Sequence, residues 1–389
     1  MKDKIGAIII GGHFQGLGVV RALARKGVEV VIIDSEPCIA RFSRHAKRFY
    51  RSPNIRNPLD YLDFIEGLCY DEGLEGWVIF PTDDETVYFL SRNHDQLSEM
   101  FRLITPRWEV TKYAYNKKHS YRLATSLEIP IPRTYYPECT EDLEKIDCPF
   151  PLIIKPTVMR DFFRVTGKKV FRARNRDELV TKYLTAASII DFDEILVQEE
   201  IPDVAKHLYS FCPFFKKHHT KARIIGKRSR QHPMDFGQAS TYAETVDIPV
   251  LEELGERFLS AIDYYGLCEV EFIEDPRDGT FKFLEVNPRI WGWHTLAIRA
   301  GVNLPYMVYL DRVDKALEPV DFQRGVKWVR LTTDVPTVAA EILKGRMRLN
   351  DYFRSLRGEK EFAVISMNDP LPFIGELFLL PYLALKRGF

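Results

Sequence analysis

Two runs of aliphatic residues near the N-terminus limit this chain's fold more than any other feature. IGAIII, residues 5–10, and VEVVIID, residues 28–34, are apolar with little alternation, the pattern of parallel strands covered on both faces. Between them lie the glycine-rich turn GGHFQGLG and the helical stretch VVRALARKG, closed by Gly27. Parallel strands joined by a helix form a right-handed βαβ unit, and this unit predicts a doubly wound α/β sheet. Helical pattern returns at 58–72, and GWVIF reads as a third strand ending at Pro81-Thr82-Asp83-Asp84-Glu85. A further helix over about 86–100 and a strand in RLITP complete a first domain placed at 1–110.

Asp34 closes the second strand where an NAD-binding unit carries its ribose acid. The glycines do not support that reading, because Gly11, Gly12, Gly16 and Gly18 contain no G-x-G-x-x-G register. An NAD(P)-binding oxidoreductase on this unit is kept as a rival, beside a non-catalytic ATP-binding module.

The chemistry is concentrated in CEVEFIEDPRDGTFKFLEVNPRIWGW, from Cys268 to Trp293. EVEFIE and TFKFLEV flank Pro276-Arg277-Asp278-Gly279, a turn composition, so the segment predicts a hairpin. Centred on Asp278, the hairpin sets Glu271 opposite Glu285, with side chains about 5 Å apart and like-charged. Asn287 shares their face by the two-residue period. Two carboxylates and an amide oxygen suit Mg²⁺ or Mn²⁺, which would also remove the repulsion. The same period assigns Val270, Phe272, Leu284 and Val286 to the opposite face, and Ile273, Phe281 and Phe283 to the acidic one.

Other segments carry isolated cations. A helical stretch from 111 holds Lys117 and ends in EIPIPRTYY. PLIIKP is a short apolar strand closing in Lys155, and a lysine there calls for a partner. TVMRDFFRVTGKK has one glycine, Gly167, and the cations Arg160, Arg164, Lys168 and Lys169. EILVQEEIP follows at 194–202, and ARIIGKRSRQHPMDFGQASTYAETVD, at 222–247, is a basic strand, a turn and a strand.

Composition sets outer limits. With 389 residues the chain has room for two or three domains. Lys+Arg and Asp+Glu are both 55, so charge offers no case for nucleic acid as a partner. Six cysteines without a C-x-x-C pair read as reduced thiols, and MKDKIGAIII lacks the apolar stretch of a signal peptide, so a cytoplasmic location is expected. The tail LPFIGELFLLPYLALKRGF is apolar but broken by Glu376 and Pro381, too short for a membrane span. It reads as a helix packed on the protein's own core; the alternatives are an interfacial helix anchored by Lys386 and Arg387, or a homodimer contact.

In this order, across about 110–310, these segments resemble the ATP-grasp superfamily, whose metal-binding end shows an acid followed by Glu-x-Asn and often Pro-Arg. Here those are Glu271, Glu285, Asn287, Pro288 and Arg289. The stretch NKKHSYRLATSLEIPIPRT is similar to the superfamily's entry helix, with Asn116 where Asp is usual and Glu128 where Gly is common. The resemblance implies an ATP-grasp domain at 111–311 with a small lid at about 150–205. A Rossmann-like pre-ATP-grasp domain precedes it and an α+β extension, 312–389, follows. It implies ATP and Mg²⁺ (or Mn²⁺) as cofactors, with Glu271, Glu285 and Asn287 on the metal and Lys117 and Lys155 on the phosphates. Gln198 and Glu199 would meet the purine amino group, and the Ile201 N–H its ring. The usual glycine-rich phosphate loop is missing, and the cations around Lys169 stand in its place. Arg289 would face the transferred phosphate, and Arg230 would line the reaction cavity. The KP…TGKK loop, R-Q-x-P-M-D-F-G and N-P-R-x-W-G-W-H resemble a branch of predicted carboxylate–amine ligases. That branch implies joining of a small-molecule carboxylate to an amine, or to a thiol, through an acyl phosphate.

Overall fold

The computed structural model describes residues 5–234, 237 and 239–387, without the side chains of residue 160 and residues 383–387. Asp235, Phe236 and the side chains of Arg160, Lys386 and Arg387 therefore lie outside what is described.

The N-terminal runs form a five-stranded parallel sheet. Its order is Arg48–Arg51, Val30–Asp34, Ala7–Ile10, Val78–Pro81, Arg102–Leu103. Every residue of Ala7–Ile10, Val30–Asp34 and Val78–Pro81 is buried, as unalternated apolar runs require. Helix Phe14–Ala24 returns the chain between the first two strands. The helix expected at about 86–100 is two, Asp84–Arg92 and His94–Met100, parted at Asn93. The connection order reverses between Ala7–Ile10 and Val78–Pro81. The Gly11-Gly12 turn and Thr82-Asp83-Asp84 follow the carboxyl ends of those strands, where such sheets open a crevice.

A four-stranded antiparallel sheet, ordered Thr134–Tyr135, Ile195–Glu199, Leu152–Pro156, Phe171–Ala173, has its own core around Phe162, Leu179 and Tyr183. The stretch read as a phosphate-covering loop is instead mostly helix, Met159–Thr166, stopped by Gly167 at φ 64°. Glycine enters that left-handed region without steric cost, which is why the helix ends there.

The largest sheet runs Phe281–Asn287, Glu269–Glu274, Leu208–Lys216, His219–His232, Ala239–Thr245, Lys327–Val329, Lys360–Phe362, with Gly266–Leu267 on Leu208–Lys216. Its last two strands come from the C-terminal extension, so that segment is part of the sheet rather than an appendage. One apolar core joins this sheet to the N-terminal one. At the junction Phe14 meets Trp328 at 6.2 Å, and Gly18 fits where a Cβ would stand 2.5 Å from the His294 ring.

Glu271 pairs with Glu285 across the hairpin, as the spacing predicts. Beyond that pair the register shifts, Phe272 opposing Phe283, so Leu284 is an extra residue on its strand. The bulge corrects the expected faces. Phe283 turns into the core, stacked on Phe258 with ring centroids 4.8 Å apart, and Leu284 packs beside Ile201, Leu208 and Ile273.

Candidate functional site

Strand pairing sets Glu269 opposite Asn287 and Glu271 opposite Glu285, all four on one face. Each acid has a cationic or polar partner. Lys117 Nζ lies 2.7 Å from Glu285. Arg228 donates to Glu271 and stands 3.9 Å from Glu269. Asn287 Nδ2 donates to Glu271 at 2.7 Å and to Glu269 at 3.2 Å. Glu269 also accepts from Ser210 Oγ at 3.0 Å and Trp293 Nε1 at 3.1 Å. Burial, with the charge of Glu271, pushes the Glu269 carboxyl up. Burial would raise Glu285 too, but Lys117 and Lys169 outweigh it and hold Glu285 down.

Local folding explains how the cations arrive. The expected long helix is split into Trp108–Tyr115 and Lys117–Ser126 by Asn116, whose side chain accepts from the Lys118 N–H at 2.9 Å as an N-cap. Lys117 is thereby fixed at the first turn. Tyr121, one turn on, receives a hydrogen bond from Lys155 Nζ at 2.7 Å, the partner that a lysine closing a buried strand requires. Burial and the nearby Lys117 charge lower Lys155 to about 7. Lys169 donates to the Gly237 carbonyl at 3.0 Å; burial lowers its pKa while Glu285 and Glu271 pull the other way. Of the other cations in that segment, Arg164 pairs with Asp161 on its own helix and Lys168 is exposed.

Gln198 and Glu199 diverge, as adjacent strand residues must. Gln198 is buried and donates to Thr134 Oγ1 at 2.7 Å. The Glu199 carboxylate is engaged elsewhere, by Lys282 at 2.9 Å and Arg277 at 2.8 Å, so its side chain does not stand free for a purine amino group. Ile201 is buried in a small apolar cluster with Leu208 and Ile273.

Arg230 is not brought to the acids. Its guanidinium makes two bonds to Asp334, at 2.8 and 2.9 Å, and lies 4.0 Å from the centre of the Tyr242 ring. The cause is a bulge: Arg228 opposes Ala243 and Arg230 opposes Tyr242, which leaves Ser229 extra and turns the two arginines to opposite faces. Arg289 leaves the hairpin's end and meets Asp84 of the N-terminal domain at 2.6 Å. Asp34 is buried and accepts from the Gly12 N–H at 2.7 Å and the Glu36 N–H at 2.8 Å, so it ties the glycine turn to its own strand end.

Four participants were missed in the sequence: Arg228, Glu269, Tyr121 and Asp84. Glu269 had a signal, since Glu-x-Glu places it on the face of Glu271.

Residues 239–309 match the family described as carbamoyl-phosphate synthase L chain, ATP binding domain. D-aspartate ligase of Enterococcus faecium is 24% identical over 263 residues, 63% of this chain; the chain spans 60% of that relative's length. The biotin carboxylase domain of Hydrogenobacter thermophilus 2-oxoglutarate carboxylase, solved with MgADP and bicarbonate, superposes with a TM-score of 0.66 at 20% identity, covering 84% of this chain and 74% of that one. L-amino acid ligase from Bacillus licheniformis does so with a TM-score of 0.63 at 15% identity, covering 81% and 76%. Among the described residues no group of three His, Cys, Asp or Glu is placed to hold a metal ion; the oxygen set is two carboxylates and one amide. With the parallel N-terminal sheet, the four-stranded antiparallel sheet and the Glu, Glu-x-Asn hairpin all in place, this chain has an ATP-grasp fold preceded by a parallel-sheet domain.

Proposed function

We propose that the chain is an ATP-dependent ligase that activates a carboxylate as its acyl phosphate and passes it to an amine, or to a thiol, releasing ADP and phosphate. One observation carries this reading: the opposed, half-buried acids Glu271 and Glu285 lie among the buried Lys155 and Arg228 and the half-buried Lys117 and Lys169. A dense set of cations withdrawn from water around two acids is costly unless it receives a polyanion. ATP with Mg²⁺ (or Mn²⁺) meets that need. Glu271, Glu285 and the Asn287 amide form an all-oxygen donor set that fits a hard divalent ion. When bound, that ion would neutralise charge on the phosphates.

Lys117 and Lys155 reach the same place from a helix and a strand and are suited to phosphate oxygens. Lys169 lies just before strand Phe171–Ala173, in the segment of about 150–205 proposed as a lid, whose closure would exclude water from the acyl phosphate. Ile201, Leu208, Ile273 and Leu284 offer an apolar wall for a purine, with Gln198 three residues before Ile201 in the chain. Arg289, which pairs with Asp84 here, would turn to the transferred phosphate, since a planar guanidinium can donate two parallel hydrogen bonds. In the first step a carboxylate oxygen takes the γ-phosphoryl group and ADP leaves. In the second the amine attacks the carbonyl carbon, loses a proton, and phosphate departs with the former carboxylate oxygen. Two relatives named as amino-acid ligases support an amino acid as one substrate.

The test is release of ADP and phosphate from MgATP across paired amino acids and amines. Release that requires both members of a pair is expected. Nucleotide binding without release for any pair would contradict the reading in favour of a binding module.

A further inference from the structure

The C-terminal helix, Leu371–Arg387, is built inside out. Its acid, Glu376, points inward and bonds to the buried Arg330 at 3.0 Å and to Thr332 at 3.2 Å. Its outward face is apolar. Leu371 is 55% exposed, Ile374 46%, Leu377 47% and Phe378 82%. These positions recur every three or four residues, so they form one stripe, about 10 Å long from Leu371 to Phe378 at 1.5 Å per residue. Met367, 92% exposed, leads into it. Burying a charge while exposing leucine and phenylalanine is the reverse of what a surface helix needs in water.

The helix is also held firmly in that orientation. Phe373 and Leu379 pack on the main core, and Gly375 admits Phe42, whose ring would lie 2.5 Å from a Cβ there. Cations border the region. Arg41 lies over the Phe42 ring at 5.5 Å, Arg44 reaches the Asn368 carbonyl at 3.4 Å, and Arg25 reaches Ser366 at 3.3 Å; all three are exposed. The sequence adds Lys386 and Arg387 beyond the stripe.

We propose that this face docks on an anionic lipid surface. An apolar stripe flanked by arginines is the pairing such a surface selects, with side chains entering the acyl boundary and guanidinium groups meeting headgroup phosphates. A second copy of the chain would bring the same arginines together across its two-fold axis, and the charge argues against that. No helix among the described residues is long and apolar enough to cross a membrane, so the contact is with the surface.

Co-flotation of the full chain with phosphatidylglycerol-containing and pure phosphatidylcholine vesicles tests this. Binding to the anionic vesicles is expected, weakening with salt. Phe378→Asp should lower it by about tenfold or more, the worth of one buried phenylalanine ring. Arg41→Glu with Arg44→Glu should lower it and flatten the salt dependence. Both variants alter exposed side chains, and an unchanged unfolding midpoint verifies their fold. Absence of binding to anionic vesicles, or equal binding by Phe378→Asp, overturns the proposal. So does a Phe378-dependent dimer in sedimentation velocity without vesicle binding, which would give the stripe to a second copy.

Discussion

The ammonium of Lys117 and the carboxylate of Glu285 meet at 2.7 Å, the first set by a helix cap and the second by a hairpin register. Their side chains are 13% and 27% exposed, so the contact is shielded but not sealed. Lys117→Met leaves Glu285 without its nearest cation and should cost about 1.5–3 kcal/mol in urea unfolding. The double variant Lys117→Met with Glu285→Gln should recover most of that loss. A single variant as stable as wild type would show that the pair is solvated.

Lys155 gives the site a pH signature. Burial and the charge of Lys117 lower it from 10.5 to about 7. Below about 7 both folded and unfolded chains carry the proton, and the folded state bears the full penalty of a buried charge. Between about 7 and 10.5 only the unfolded chain holds it, so stability rises with pH by up to about 1.4 kcal/mol per unit. Lys155→Met should lack that rise, seen as a growing gap between the two stabilities from neutral to alkaline pH. Parallel curves would mean that Lys155 keeps its proton.

Arg230 and Asp334 are a structural pair, with side chains 5% and 0% exposed. Asp334→Ala strands a buried guanidinium and should cost about 3–5 kcal/mol. Nucleotide affinity of the folded protein should not change, as titration calorimetry can check. An unaltered stability with lost affinity would return Arg230 to the reaction cavity.

Arg289 and Asp84 behave differently, because Asp84 is 58% exposed. Asp84→Asn should change stability by no more than about 1 kcal/mol, the range of solvated ion pairs. Arg289→Lys should keep MgATP binding and lose most phosphate release, since an ammonium cannot replace the two parallel donors. Equal release would leave Arg289 a merely positional role.

The parallel N-terminal sheet and the Glu271–Glu285 pairing were legible because periodicity and turn composition govern them directly. Two single-residue bulges were not. The extra Leu284 exchanged the faces of Phe283 and Leu284, and the extra Ser229 sent Arg228, not Arg230, to the acids. A period-two reading carries no signal for an inserted residue, yet each insertion flips every side chain beyond it. The helix Met159–Thr166 was hidden for another reason: its cations suggested a phosphate cover, while its Phe162 packs into the small sheet's core. The pairing of the Glu199 carboxylate was not legible because Lys282 and Arg277, which engage it, are distant in sequence.

Thermal unfolding with MgATP, MgADP, NADH or no ligand, for wild type and Glu285→Gln, decides whether the two acids hold a magnesium nucleotide. A ligand that binds only the folded chain raises its midpoint. A rise with the magnesium nucleotides is expected, and Glu285→Gln should lose most of it. A rise with NADH alone, or an undiminished nucleotide shift in Glu285→Gln, would contradict it.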